Sequence, residues 1–347
     1  MKKQTSKRTN VIRALLLSGT IISMFFVPWP IVKAWLKPLP DTVQEQLAEA
    51  TDDYFDGMIV YVDRADKSPE SYAAGWHEPV AQIPAKPEAY WKIASIRKLY
   101  VAVAIAKLAG DEIISLDNSL AHYMPPLEGR IEHANEITLR MMVQHRSGIP
   151  NFTDTPGFWS SPGETNAENL ALVLDMPANF KPDKRYEYSN TNYLLLSDIM
   201  DSVLGYPHFE FIQSEILDRL DLKNTFQSVT SVDTNDVMSG YYVGYPYDLK
   251  SADQGMVATA EDVGIFIRAL NDGSLFDEGE QEIYSSIYRY EHTGLVPGYQ
   301  SIARYHKDID AVVIQFTTPT DFEDYHWSMA ELYYRRIVKV VRKRSEE

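Results

Sequence analysis

The chain contains no cysteine. That absence excludes disulfides, thiolate zinc sites, iron–sulfur clusters and lipid attachment through a thiol. No histidine pair stands at a ligand spacing such as His-Glu-x-x-His, so no metal and no cofactor is expected. Low-complexity tracts and internal repeats are missing as well. Acidic residues are absent from the first 40 positions and abundant afterwards. Seven of the 33 basic residues fall in those 40 positions, which leaves 26 basic and 49 acidic residues beyond them, a formal charge of −23. Such a body argues against nucleic acid as its partner.

The first 40 residues form a separate unit. Lys2, Lys3, Lys7, Arg8 and Arg13 precede an uncharged apolar run from Ala14 to Val32. A basic flank before such a run marks export, with the N-terminus held in the cytoplasm. Two forms stay open. Val32-Lys33-Ala34 offers a signal-peptidase site, or residues 14–32 remain as a single membrane anchor. Either form places residues 41–347 outside the cytoplasm, in a periplasmic or other extracytoplasmic space.

The segment Tyr90 to Ala106 reads as the start of a buried helix that ends near Gly110. Leu99, Val101, Val103, Ile105 and Leu108 recur with alanines between them, which leaves little room for a polar face. Yet Ser95 and Lys98 occupy its first turn, three apart and so on one face. A lysine in apolar surroundings loses hydration, which lowers its pKa and makes it a base. A serine hydroxyl beside such an amine is an activated nucleophile.

Elsewhere the pattern predicts helices over about 41–53, 139–145, 166–174, 194–204, 209–220, 259–270 and 321–342. Strands are predicted over 57–62 and 71–76, and over 287–292, 298–306 and 311–317. Tyr188 and Asn190 directly precede an apolar helix; a tyrosine there relays protons and an asparagine positions an amine or an amide. His145 stands alone before a glycine stop and is read as a structural histidine holding that turn. His292-Thr293-Gly294 ends a predicted strand, where glycine permits close approach and an edge offers N–H groups to an oxyanion.

Ser95-x-x-Lys98, Tyr188-x-Asn190 and His292-x-Gly294, in that order, resemble the three motifs of serine β-lactamase-related proteins. The resemblance is to the branch of class C β-lactamases, D-alanyl-D-alanine carboxypeptidases and esterases, and it spans about residues 41–340. Gln144 to Pro150, Gln254 to Asp262 and His292-Thr293-Gly294-x-x-Pro297-Gly298 support it. It implies an α+β fold of the β-lactamase/DD-peptidase type. An antiparallel sheet is flanked by helices, and a mainly helical subdomain covers about 111–270.

By that resemblance Ser95 attacks an acyl carbonyl, Lys98 and Tyr188 handle its proton, and Asn190 orients lysine and substrate. The backbone N–H groups of Ser95 and Leu295 form the oxyanion hole. The expected function is an exported serine hydrolase working through an acyl-enzyme on an ester, amide or D-amino-acid peptide, with a small-molecule or cell-wall-derived substrate. The alternative is an inactive penicillin-binding-like envelope protein on the same scaffold. One position departs from the pattern: many β-lactamases and carboxypeptidases have lysine where this chain has His292. A histidine at its reference pKa gains charge only below about pH 6.5, which predicts carboxylate-bearing substrates binding better as pH falls.

Overall fold

A computed structural model describes residues 7–346 except Asp66, Glu164 and Asp324. Lys2 and Lys3 of the basic flank lie outside the described residues. The N-terminal helix α1 (Lys7–Met24) is exposed, and α2 (Trp29–Leu36) follows it at a bend of 82°. No single described helix is long and apolar enough to cross a membrane, whereas this bent pair together meets that length and composition.

The body begins with α3 (Val43–Asp53), where Thr42 and Glu45 form a reciprocal capping box, as their spacing predicts. Next come the strands β1 (Gly57–Arg64) and β2 (Glu70–Glu78), then the buried helix α4 (Arg97–Gly110). The helices α5 (Leu139–Val143) and α6 (Asn190–Leu204) belong to the helical part of the body. Closing the chain are α7 (Ala260–Asp272), α8 (Glu280–Ile287), the strands β3 (His292–Val296), β4 (Tyr299–His306) and β5 (Ala311–Thr318), and α9 (His326–Glu346).

The main sheet is antiparallel, in the order Ile83–Pro84, β2, β1, β5, β4, β3. Alternate residues of β1 serve opposite cores, which makes the fold three-layered. Met58, Val60 and Val62 pack with α3 and α9, whereas Ile59 and Tyr61 pack with α4 and α7. Because both faces are covered, β5 is buried along its whole length. A second, small sheet pairs Trp91–Lys92 with Val257–Ala258, and that segment with Thr225–Phe226. It carries the chain into α4.

Three readings change. The strand predicted over 287–292 is instead the end of α8 and a connector, and β3 begins at His292. Tyr284 and Ile287 are buried at helical spacing, and the alternating Tyr288 and Tyr290 gave a false strand period. The closing helix starts at His326 rather than Asp321. Finally, α7 packs on the sheet, so it leaves the helical part of the chain before residue 270; a Cβ on Gly264 would lie 2.2 Å from the Tyr61 ring.

Candidate active site

Ser95 sits in a single 3₁₀ turn, Ala94–Ile96, that runs directly into α4. The first turn of a helix leaves its N–H groups without intrahelical partners. Residues 98 to 108 of α4 are all buried, so this turn cannot drift from the core. Ala94 adopts φ +52, a left-handed conformation costly for a residue with a Cβ. Strain of that kind persists only where the surroundings over-determine it. Here the surroundings are Ser301, whose Oγ donates to Ile93 O at 3.1 Å, and Gly294. A Cβ on Gly294 would lie 2.3 Å from Ser301 Oγ and 2.4 Å from Ile93 O. The glycine therefore lets β3 close upon the turn that carries Ser95.

Three polar side chains converge on the serine. Lys98 Nζ lies 3.2 Å from Ser95 Oγ and donates to Asn190 Oδ1 at 2.7 Å. The Tyr188 hydroxyl donates to Ser95 Oγ at 2.7 Å. Asn190 is itself fixed: its Nδ2 donates to Thr153 Oγ1 (3.1 Å) and its N–H to Asn151 Oδ1 (2.9 Å). Burial pushes the Lys98 pKa well below its ordinary value, and the neighbouring Arg97 charge pushes it the same way. Burial pushes Tyr188 up to about 12, so its phenol keeps its proton. The two groups are thus divided in role. The lowered pKa suits Lys98 to the part of a base, and the raised one suits Tyr188 to that of a protonated donor.

The edge strand β3 supplies the remaining wall. Its hairpin to β4 is closed by Pro297 and Gly298 (φ +89), with Val296 paired to Tyr299. A two-residue loop closes on a hydrogen-bonded pair, so Leu295, opposite Gln300, is a non-hydrogen-bonded position. Its N–H therefore points away from β4, outward from the sheet edge. Ser95 N–H and Leu295 N–H are the two donors that the motifs predict for an oxyanion.

His292 needs correction. Its ring is buried, and burial pushes its pKa down to about 3, with the Lys98 charge adding to the effect. Its Nδ1 donates to Thr293 O and its Nε2 accepts from the Tyr288 hydroxyl at 2.9 Å. Neither nitrogen is free for a substrate carboxylate, and the side chain stays neutral through the range in which it was expected to titrate. His145 holds its turn as read. Its φ is +56, its Nδ1 accepts from Ser189 N–H, and its carbonyl accepts from Glu187 N–H. Its ring lies 4.4 Å from that of Tyr188.

Several residues escaped the sequence reading. Tyr288 partners His292, and Asn151 with Thr153 fixes Asn190. Arg97 lies inside the first motif, and its guanidinium has no hydrogen-bond or ion-pair partner among the described residues. Lys92, fully buried below the serine turn, donates to Leu249 O, Ala252 O and Gln254 Oε1 and so pins the 249–254 loop. Only its position two residues before the turn that carries Ser95 could have flagged it. Among the described residues no cluster of His, Asp and Glu is arranged to hold a metal.

Comparisons with known proteins bear on the fold and the family. The D-amino acid amidase from Ochrobactrum anthropi SV3 superposes with a TM-score of 0.76 at 20% identity, covering 90% of this chain and 99% of that one. A penicillin binding protein from Bacillus halodurans gives 0.72 at 19% identity, covering 85% and 99%. At these identities the likeness establishes the fold. In sequence, Protein flp of Staphylococcus aureus (strain MW2) is 27% identical over 169 residues, 48% of this chain and 34% of that protein. The chain thus spans about a third of the length of that relative. The Beta-lactamase family profile matches residues 43–286, which include Ser95, Lys98, Tyr188 and Asn190. The match covers more than half of the chain, and the chain belongs to the Beta-lactamase family.

Proposed function

We propose that the protein is an exported serine hydrolase that opens ester or amide bonds through an acyl-enzyme on Ser95. The observation that carries this reading is the placement of Ser95 Oγ, 3.2 Å from the Lys98 amine and 2.7 Å from the Tyr188 hydroxyl. With its pKa lowered by burial, the Lys98 amine takes the serine proton as Oγ bonds to the acyl carbon. Charge develops on the former carbonyl oxygen, where the N–H groups of Ser95 and Leu295 stabilise it. Collapse breaks the bond to the leaving group, which collects a proton from the Lys98–Tyr188 pair. Water, deprotonated by the same pair, then releases the acid and restores Ser95.

The neutral, fully engaged His292 removes the fixed cation that a lysine would supply at that position. This favours esters and amides that do not depend on a carboxylate at that subsite. The structural likeness to a D-amino acid amidase supports the same class. A panel of chromogenic esters, D-amino-acid amides and a cephalosporin tests the reading on the purified protein. Turnover of esters or amides above the cephalosporin is the expected result. Binding without turnover across the panel would favour an inactive envelope binding protein.

For its location we propose retention at the outer face of the cytoplasmic membrane through residues 14–32. The support is the uncharged run behind a basic flank.

A further inference from the structure

The short helix α2 has two faces. Inward, Ala34 is buried and Ile31 packs on the core that holds Val43, Leu47, Met329 and Tyr333. Outward, Trp29, Trp35 and Leu36 are 50%, 66% and 66% exposed, and Phe25 and Phe26 in the bend are 82% and 79% exposed. Lys33 shares the outward stripe with Trp29 and Leu36 at spacings of four and three. No acidic residue occurs anywhere in this segment, although the rest of the chain is strongly acidic. Aromatic rings with scattered lysines are the composition of a membrane–water interface.

The C-terminal end of α2 is built into the body. Arg336 on α9 is buried; its Nη1 donates to Ala34 O (3.3 Å) and Lys37 O (2.9 Å), and its Nη2 to Pro38 O (2.7 Å). Its Nε donates to Gln46 Oε1 at 2.7 Å, and Glu49 pairs with it at 3.3 Å. The carbonyls that a helix end leaves open are thereby satisfied from inside the catalytic domain. Lys37 adds a contact to Asp53 on α3.

We propose that α2 is an interfacial helix lying along a lipid bilayer, and that Arg336 clamps the catalytic body to it. The inference rests on the anchor reading and goes beyond it. Residues 29–38 are a retained part of the domain, because a cut after Ala34 would strip a buried side chain and leave Arg336 without one of its acceptors. The bend of 82° turns α1 into the bilayer while α2 follows its plane; α1 alone is not long and apolar enough to cross, so the anchor engages the bilayer as the bent pair. Since α2, α3 and α9 share one core and α4 lies in the other, the sheet stands between the bilayer and Ser95. The hydrolase is held at a fixed height with its serine layer away from its own membrane.

Freedom from cysteine permits clean single-site labelling. The full chain is reconstituted into vesicles of phosphatidylcholine and phosphatidylglycerol, with a nitroxide at Leu16→Cys, Trp29→Cys, Leu36→Cys or Ala171→Cys. Accessibility to oxygen and to a water-soluble nickel chelate is then measured. The labels at 29 and 36 should favour oxygen over the chelate at least threefold more than the label at 171. Chelate access at 29 and 36 equal to that at 171, with 16 still in the bilayer, would overturn the interfacial helix and leave the anchor standing. An aqueous label at 16, or a mature chain beginning at Trp35, would remove the anchor and this inference with it. Dipolar broadening between singly labelled copies at 29 or 36 would assign the face to a second copy and overturn the bilayer. The clamp is read separately, from the distance between nitroxides at Lys33→Cys and Lys339→Cys. A narrow distribution is expected, broadened by Arg336→Gln; a broad one in the otherwise wild-type chain would overturn the clamp.

Discussion

Replacing Gly294 by alanine places a methyl group where β3 meets the serine turn. The new Cβ would lie 2.3 Å from Ser301 Oγ, 2.4 Å from Ile93 O and 3.0 Å from Ala94 Cβ. An ordinary contact needs more than 3.4 Å, so about 1 Å of movement is forced on one side or the other. Ser301 Oγ can rotate away, but Ile93 O belongs to the backbone that sets Ala94 and Ser95. Overpacking of this kind costs ~1–3 kcal/mol, a fall of several degrees in Tm. The larger effect falls on the chemistry. A displacement near 1 Å between the nucleophile and the Leu295 N–H should cost roughly 100-fold in kcat/KM. The assay is kcat/KM on a chromogenic ester beside a thermal melt. Adding Ser301→Ala relieves one of the close contacts and should recover part of the Tm, while kcat/KM stays low because Ile93 O remains in the way. Wild-type kcat/KM in Gly294→Ala would refute the claim that this approach positions Ser95.

Between about pH 5.5 and 7.5 the ratio of kcat/KM for a carboxylate-bearing ester to that for a neutral ester should be flat, because burial pushes the His292 pKa down to about 3. Both rates should fall together on acidification as Lys98 takes a proton; a ratio that climbs as pH drops would mean that His292 charges. Stability follows a related rule. His292 stays neutral in the fold but is protonated in the unfolded chain below about pH 6.5, so it makes stability rise with pH from about 3 to 6.5 and level off above. The slope per such group reaches ~1.4 kcal/mol per pH unit, and His292→Asn should lower it in urea midpoints measured at about pH 4.5 and 5.5; an unchanged slope contradicts the assignment. Lys92→Met leaves Ala252 O unpaired, at about 1–3 kcal/mol, and takes one of two donors from Leu249 O, which keeps the Ala252 N–H. Proteolysis within 249–254 should accelerate, and equal cutting rates would show that Lys92 does not hold this loop.

What the sequence shows of this fold is what its local signals carry. Leu99 to Ala106 of α4 form an unbroken buried apolar run, so Ser95 and Lys98 stand out just before it. Thr42 with Glu45, and Thr259 before Asp262, announce helix starts through side chains three residues apart. The hidden features depend on partners far along the chain. Ala94 looks ordinary until Gly294 and Ser301 close over it, some 200 residues later. Arg336 reads as one basic residue of an amphipathic helix, although it satisfies carbonyls about 300 residues away. His292 looks titratable because its reference pKa describes a solvated ring, and Tyr288 seals it from water. The same tyrosine, alternating with Tyr290, imitated a strand.

The central claim is that Ser95 forms a covalent acyl intermediate. The direct measurement is mass spectrometry of the intact protein and its peptides after incubation with a slow acylating agent. The geometry predicts one adduct, on Ser95, that disappears in Ser95→Ala and forms far more slowly in Lys98→Met. An adduct on another serine, or one that persists in Ser95→Ala, would contradict it.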